Sequence, residues 1–298
     1  MVYDMIVIGG GCAGLSAAMY ASRFEMSVLV FATIPGGLIT TTHVVENYPG
    51  VVTWSGMEMG KKFLEHAKQF GGEVKSGTVK EVKKVDDIFT VKSGKEEYKG
   101  KTILLATGSD HRNLNIPGEE QYKNKGVSYC AVCDAAFYKG KIVAVIGGAD
   151  SAAKEALLLS EYASKVYLIY RGKEIRPEPI NKKRVEENKK IEVITSTNLQ
   201  EIHGDGNKVT HISFKEGGEL QVDGVFVAIG QLPKNEIAKQ LGVNLTEKGE
   251  IIIDDESKTN IDRVYAAGDV TQVPFRQAII SAAQGAYAAN SAYESLQG

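Results

Sequence analysis

The chain has 298 residues, of which 43% are hydrophobic and 24% are charged, and its formal net charge at pH 7 is -2. This length suffices for about two domains with buried cores, and the near-neutral charge excludes a globally basic nucleic-acid-binding protein. No apolar run approaches the ~18 residues needed to cross a membrane, so we expect small-molecule or protein partners.

The sequence begins with MVYDMIVIGGGCAG, in which an apolar strand leads directly into a glycine-rich turn. It lacks the charged leader, the apolar core and the cleavage site of a signal peptide. This pattern predicts a protein that is not exported, and we expect a cytoplasmic location.

The first glycine turn has the form Gly9-x-Gly11-x-x-Gly14, with a predicted strand before it and a predicted helix after it. In this pattern the glycines allow a tight turn, close approach of the backbone to a pyrophosphate and close helix packing. The acidic residue that usually binds ribose hydroxyls about 20 positions later is replaced by Phe31 and Ala32. A glycine turn without a ligand is the alternative interpretation.

The stretch EVKSGTVKEVKKVDDIFTVKSGKEEYKGKTILLATG alternates apolar and polar residues, which predicts antiparallel strands ending in a buried strand. A second strand, glycine turn and helix begin at Lys141 with KIVAVIGGADSAAKEALLL. Two such units predict an α/β fold class, with two doubly wound, Rossmann-like domains and added antiparallel strands.

The three cysteines are Cys12, Cys130 and Cys133, and the last two form a C-x-x-C pair followed by Asp134. Such a pair lowers the pKa of one thiol and favours disulfide exchange. Half of a zinc site or simple packing are alternatives, but the five histidines lack ligand spacing, so we expect no metal. Cys12 is explained as a small buried residue at a helix start.

Taken together, these motifs resemble the low-molecular-weight flavin thioredoxin reductases over nearly the whole chain. The matching pieces are GGGCAG, PGGLITTTHVVENYPG, ATGS, CAVCD, VYAAGDV and RQAIISAAQGAYAA. The resemblance implies bound FAD, thioredoxin as substrate and a homodimer.

The resemblance also implies which residues bind FAD, in five segments of the chain. They are Gly9, Gly11, Cys12, Ala13 and Gly14; Gly36, Gly37 and Leu38; Asn47; Thr107 and Gly108; and Gly268, Asp269, Arg276, Gln277 and Ala278.

By the same resemblance, residues 1–113 and 240–298 would form the FAD domain, and residues 114–239 would form a second domain similar to an NADPH domain. Cys133 would take electrons from the flavin, and Cys130 would exchange with thioredoxin. Asp134 would be the nearby acid or base.

The second glycine turn departs from the family pattern for NADPH. Ala149 stands where backbone usually approaches the pyrophosphate. In the family, a His-Arg-Arg segment, three free positions and a further arginine clamp the 2′-phosphate of NADPH. These positions read Tyr170-Arg171-Gly172 and Arg176 here, so the histidine and one arginine of the four are lost. These departures resemble the ferredoxin-dependent branch from anaerobes, and on the sequence alone we favour ferredoxin as electron donor.

Electron transfer from a ferredoxin near -400 mV to a thioredoxin near -270 mV would be downhill by about 6 kcal/mol for two electrons. A cluster of lysines and arginine in INKKRVEENKKIE is a candidate docking face for an acidic ferredoxin, and a solvated helix face is its alternative.

Two other enzymatic functions are kept open by the sequence. One is an NADPH-dependent thioredoxin reductase with an eroded motif, in which Arg171 and Arg176 still bind the 2′-phosphate. The other is an FAD dithiol oxidase, which would also need a C-x-x-C pair and no nicotinamide site. A flavin-binding redox sensor is the non-enzymatic alternative.

Overall fold

The computed structural model describes residues 1–297, and the chain divides into two compact units. Unit 1 contains Met1–Asp110 together with the chain from Leu232 onward, and unit 2 contains His111–Gln231. Unit 1 is therefore built from both ends of the chain, and unit 2 from its middle.

The first part of the chain alternates strands and helices before it becomes a run of antiparallel strands. Its elements are β1 (Val2–Ile8), α1 (Cys12–Arg23), β2 (Val28–Ala32), a 3₁₀ turn (Gly37–Thr41), α2 (Gly56–Gln69), β3 (Glu73–Ser76), β4 (Val79–Val85), β5 (Ile88–Ser93), β6 (Glu96–Leu105) and β7 (Ser109–His111).

The middle of the chain repeats the alternation and then adds a second antiparallel group. Its elements are β8 (Val127–Ser128), α3 (Ala131–Asp134), a 3₁₀ turn (Ala135–Tyr138), β9 (Ile142–Ile146), α4 (Asp150–Tyr162), β10 (Lys165–Ile169), α5 (Pro179–Glu187), β11 (Ile191–Ile194), β12 (Leu199–Gly204), β13 (Val209–Phe214), β14 (Glu219–Gln221) and β15 (Gly224–Val227).

The last part of the chain ends in a long helix rich in small residues. Its elements are β16 (Gln231–Pro233), α6 (Glu236–Gln240), β17 (Val264–Ala266) and α7 (Ala278–Gln297). No helix in residues 1–297 is both long enough and apolar enough to span a membrane.

The main sheet of unit 1 has the strand order β3-β2-β1-β6-β5-β4, and β17 pairs with β6. β1 is parallel to both β2 and β6, and β17 is parallel to β6, whereas β5 is antiparallel to both β4 and β6. The antiparallel strands predicted for this stretch are confirmed. Apolar side chains from β1 and β2 enter two separate cores, one on each face of the sheet.

Small residues let α7 pack closely on α1. A Cβ added to Gly285 would lie 2.1 Å from the carbonyl oxygen of Ala13, so no larger residue fits there without a shift. The close packing supports the start of α1, which follows the first glycine turn.

Unit 2 contains a parallel sheet with the strand order β11-β10-β9-β15-β8 and a separate antiparallel sheet, β12-β13-β14. β9, α4 and β10 form the second strand-turn-helix unit. The predicted α/β fold class, with two such units and added antiparallel strands, is confirmed. In both units the glycine turn lies at the carboxyl end of a central strand, where open α/β sheets bind ligands.

Candidate functional site

The first glycine turn connects β1 to α1 in a conformation that needs its glycines. Gly9 has φ +123°, and a Cβ there would lie 1.9 Å from the carbonyl oxygen of Ala106. A Cβ on Gly14 would lie 1.9 Å from the carbonyl oxygen of Gly9, so Gly14 allows α1 to start close to β1. Both glycines are required by the fold itself.

Gly11 is different, because its surroundings are open. It has φ -87° and ψ -168°, which any residue can adopt, and an added Cβ would contact only the Cα of Gly37, at 3.7 Å. No side chain caps the start of α1, so its first N–H groups are available to an anion. The turn therefore leaves a cradle that fits the pyrophosphate of a dinucleotide.

The loop that contains Gly36, Gly37 and Leu38 folds back onto this turn. The N–H of Gly36 donates to the carbonyl oxygen of Gly10 at 2.9 Å, and a Cβ on Gly37 would lie 2.5 Å from the Cα of Gly11. Leu38 follows in the 3₁₀ turn. These predicted site residues therefore lie together.

Other predicted residues of unit 1 are joined by hydrogen bonds. The amide of Asn47 donates to the side-chain oxygen of Gln277 at 3.0 Å, next to Ala278 at the start of α7. The Thr107 hydroxyl donates to the carbonyl oxygen of Lys234 at 2.6 Å, and Gly108 follows with φ +67°.

Asp269 lies near the start of α1. A Cβ on its neighbour Gly268 would lie 3.1 Å from the Cβ of Ala13. Burial raises the pKa of Asp269, while Arg276 and Ser281 act in the opposite direction. Arg276 in turn is paired with Glu250 at 2.5 Å. Asp269 is thus a half-buried acceptor beside the glycine turn, suited to hydroxyl groups of a bound ligand.

Cys12 is expected to be inert to alkylation in the folded protein. Burial raises the pKa of its thiol to about 12, and the nearby Asp269 carboxylate adds to the shift. Below that pH the thiol stays protonated, and only the thiolate reacts. After reduction of the protein, mass spectrometry should find iodoacetamide adducts at pH 8 on the other two cysteines; rapid labelling of native Cys12 would contradict this prediction.

The cysteine pair of unit 2 forms a disulfide in the structure. Cys130 precedes α3 and Cys133 lies within it, and their Cα atoms are 5.3 Å apart. The sulfur of Cys130 accepts a hydrogen bond from the N–H of Cys133 at 3.2 Å, and Asp134 donates its N–H to the carbonyl oxygen of Cys130. Cys133 is exposed and Cys130 is half-buried. The pair can cycle between disulfide and dithiol.

The Asp134 carboxylate is held by a residue that sequence reasoning missed. The hydroxyl of Ser128, at the end of β8, donates to Oδ2 of Asp134 at 2.7 Å. Only its position two residues before Cys130 could have singled out this serine.

No group of three or more potential metal ligands is arranged to hold an ion in residues 1–297.

The second glycine turn keeps the backbone of the first. Ala149 has φ -100° and ψ -175°, close to the values at Gly11, so alanine fits without strain. The N–H of Arg176 donates to the carbonyl oxygen of Gly148 at 2.6 Å, as Gly36 does to Gly10. The methyl group of Ala149 thus affects only the approach of a ligand.

Arg176, a retained member of the phosphate clamp, and Tyr170, which replaces a lost one, lie together beside this turn. The ring of Tyr170 covers Gly148, where an added Cβ would lie 2.4 Å from ring carbons. The guanidinium of Arg176 donates to the Tyr170 hydroxyl at 2.8 Å. Arg176 is therefore placed at the turn and is available for an anionic ligand.

Residues 3–288 match the model of the pyridine nucleotide-disulphide oxidoreductase family. The chain belongs to this family. It is 39% identical to the thioredoxin reductase of Bacillus subtilis, over 97% of this chain and 93% of that protein. The family match and this identity confirm the resemblance to thioredoxin reductases.

Solved structures give the same relationship for this oxidoreductase. The thioredoxin reductase of Lactococcus lactis matches with a TM-score of 0.96 and 39% identity, over 99% of both chains. A ferredoxin-flavin thioredoxin reductase from Clostridium acetobutylicum matches with a TM-score of 0.54 and 33% identity, over 99% of this chain and 98% of that one. The ferredoxin branch is thus the more distant of the two.

The oxidoreductase has a further cavity that the sequence did not indicate. It measures about 340 Å³ and lies at the carboxyl ends of β2 and β3, beside Phe31, with Lys75, Thr78 and Tyr98 among its lining residues. The ammonium of Lys75 lies 4.6 Å from the centre of the Tyr98 ring. Because an adenosine normally extends past the end of the second strand, these side chains could hold that half of a dinucleotide in place of the missing acidic residue.

Proposed function

We propose that this protein is an FAD-dependent disulfide reductase that reduces thioredoxin through Cys130 and Cys133. The observation that carries the proposal is the Cys130–Cys133 disulfide, with Asp134 beside it, in a chain of this family. The names of its relatives support thioredoxin as the substrate. The homodimer implied by the resemblance and the cytoplasmic location expected from the sequence belong to the same proposal.

FAD would be held in unit 1 by the first glycine turn, the Gly36–Leu38 loop and Asp269. When bound, the flavin would be the carrier that accepts electrons from a donor and passes two of them to the disulfide. The open cradle at Gly11 and the uncapped start of α1 support this assignment. In this proposal residues 1–113 and 240–298 form the FAD domain, and residues 114–239 form the domain with the cysteines.

Cys130 and Cys133 then carry out disulfide exchange. Two electrons and two protons convert their disulfide to a dithiol. The Cys130 thiolate attacks the thioredoxin disulfide to form a mixed disulfide, and the Cys133 thiolate attacks Cys130 and releases reduced thioredoxin. Asp134 accepts the proton of the attacking thiol and returns it to the leaving thiolate.

A nicotinamide nucleotide is the donor that the comparisons support better. The matched family is named for pyridine nucleotides, and the relatives at 39% identity lie nearer than the ferredoxin-flavin enzyme at 33%. The unstrained backbone at Ala149 and the position of Arg176 add local support. This reverses the order of preference drawn from the sequence alone.

Ferredoxin is the second candidate donor. The methyl group of Ala149 and the loss of an arginine at Gly172 favour it, because both would weaken the binding of NADPH. The proposed docking cluster gives it little support. Lys182 pairs with Glu174, Lys183 lies 3.8 Å from Glu187, and Lys190 donates to the carbonyl oxygens of Ser160 and Ala163. Because carboxylates and carbonyl groups engage these three lysines, less of the cluster's positive charge is free to meet an acidic partner.

Anaerobic mixing distinguishes the donors. We expect NADPH to bleach the flavin absorbance within the time of one turnover, and the variant Ala149→Gly to lower the Kd for NADPH about tenfold, equivalent to ~1.4 kcal/mol. The same variant should leave the rate with reduced ferredoxin unchanged. Bleaching by reduced ferredoxin alone would overturn the nicotinamide donor, and rapid oxygen consumption with a small dithiol would favour the oxidase.

Phe137 is expected to contribute to thioredoxin binding. It lies close in sequence to the disulfide and is 72% exposed, and Val132, between the two cysteines, is exposed as well. Exposed apolar side chains beside a reactive group fit a protein partner better than a small substrate. Phe137→Ala should raise the KM for thioredoxin about tenfold and leave the rate with a small disulfide unchanged; equal losses with both substrates would contradict this role.

A further inference from the structure

Ser128 links the acid or base of the site to the backbone of the reactive cysteine. It is buried, with 5% of its surface exposed, and it ends β8, where it pairs with Phe226 of β15. Its hydroxyl accepts a hydrogen bond from the N–H of Cys130 at 3.1 Å and donates to Asp134 Oδ2 at 2.7 Å. The carbonyl oxygen of Cys130, at 3.4 Å, is the longer alternative acceptor.

The single hydroxyl proton goes to the carboxylate, because a short hydrogen bond to a charged acceptor is the stronger one. This bond fixes the carboxylate of Asp134 by Oδ2. It leaves Oδ1 as the oxygen that exchanges a proton, since the Ser128 hydroxyl occupies Oδ2. The parallel sheet thereby holds the acid or base at a set place relative to Cys130.

We propose that Ser128 is a positioning residue that holds Asp134 for proton transfer at the dithiol. This role rests on the proposed disulfide exchange. When the Cys130 thiol attacks a disulfide, its proton passes to Asp134 and then to the thiolate that leaves, so no proton is lost or gained overall. Without the serine hydroxyl, the carboxylate would lose its fixed orientation beside Cys130.

Other titratable groups lie near this turn. Tyr138 follows in the 3₁₀ turn, and burial raises its pKa, with further contributions from Asp134 and Asp223. Lys141 lies 5.3 Å from the centre of the Tyr138 ring. On α4, which packs against α3, Glu155 has a buried carboxyl oxygen without a hydrogen-bond partner in residues 1–297, and burial raises its pKa to about 8.

The test uses the reduced full-length protein and a small aromatic disulfide whose released thiol absorbs light, so it needs neither thioredoxin nor an electron donor. We expect Ser128→Ala to slow the exchange about tenfold across the pH–rate profile, because the carboxylate loses its fixed position. Ser128→Thr, which keeps a hydroxyl, should restore the wild-type profile.

The same substitution is then made in an Asp134→Asn background, where it should have no further effect on the profile. An equal effect of Ser128→Ala with and without Asp134, or no effect at all, would overturn the proposal. If Ser128→Ala fails to fold, as judged by circular dichroism, Ser128→Gly replaces it, and the comparison with Ser128→Thr decides. A wild-type dithiol that reduces the small disulfide but not thioredoxin would count against the proposed function instead.

Discussion

Cys130→Ser is expected to abolish thioredoxin reduction, with a loss on the order of a thousandfold or more. The serine hydroxyl cannot replace a thiolate as nucleophile in disulfide exchange. Cys133 remains in this variant, so its reaction with the flavin should be retained, and the flavin spectrum should still respond to the donor. Steady-state turnover with thioredoxin, measured beside anaerobic spectra of the flavin, checks both parts.

The reciprocal variant Cys133→Ser is the matched control. It keeps the Cys130 thiol but lacks the thiol that releases thioredoxin from it. We therefore expect a stable mixed disulfide between Cys130 and thioredoxin, visible by non-reducing electrophoresis, which Cys130→Ser should not form. Thioredoxin turnover that survives Cys130→Ser would show that the roles of the two cysteines are assigned wrongly.

Gly11→Val is expected to remove the flavin while preserving the fold. An added Cβ at Gly11 contacts only the Cα of Gly37, at 3.7 Å, and the backbone at φ -87° suits any residue. The side chain would instead fill the cradle that the pyrophosphate needs. We expect FAD binding to weaken at least about a hundredfold, equivalent to ~2.7 kcal/mol.

The measurement is the flavin content per chain after desalting, followed by titration of the apoprotein with FAD. Ala149→Val is the matched control, because Ala149 occupies the corresponding position in the second turn with nearly the same backbone angles. It should keep one flavin per chain. Full flavin retention in Gly11→Val would mean that the first turn does not bind the pyrophosphate.

The sequence predicted the features that depend on local pattern. Two apolar strands that each lead through glycines into a helix predicted the two parallel units, and the structure confirms them as β1-α1-β2 and β9-α4-β10. The C-x-x-C spacing predicted the redox pair, since a disulfide between such close residues needs no distant partner.

Features that depend on tertiary contacts could not be read from the sequence. Ser128 meets Asp134 because β8 ends next to α3, and the pattern of a two-residue strand is too short to predict. Lys182 in α5 and Lys190 after it looked like part of a basic face, but Glu174, the partner of Lys182, lies in the preceding loop, and the Ser160 carbonyl that accepts from Lys190 lies in α4. At Ala149 the sequence showed a lost glycine, whereas only the backbone angles show that the turn is unchanged.

One anaerobic measurement tests most directly whether electrons pass from the flavin through Cys130 and Cys133 to thioredoxin. The flavin-loaded protein is fully reduced with dithionite, freed of excess reductant and mixed with oxidised thioredoxin. We predict return of the oxidised flavin spectrum and about two molecules of reduced thioredoxin per chain, because the flavin and the dithiol each carry two electrons. A flavin that stays reduced in the presence of oxidised thioredoxin would contradict the account.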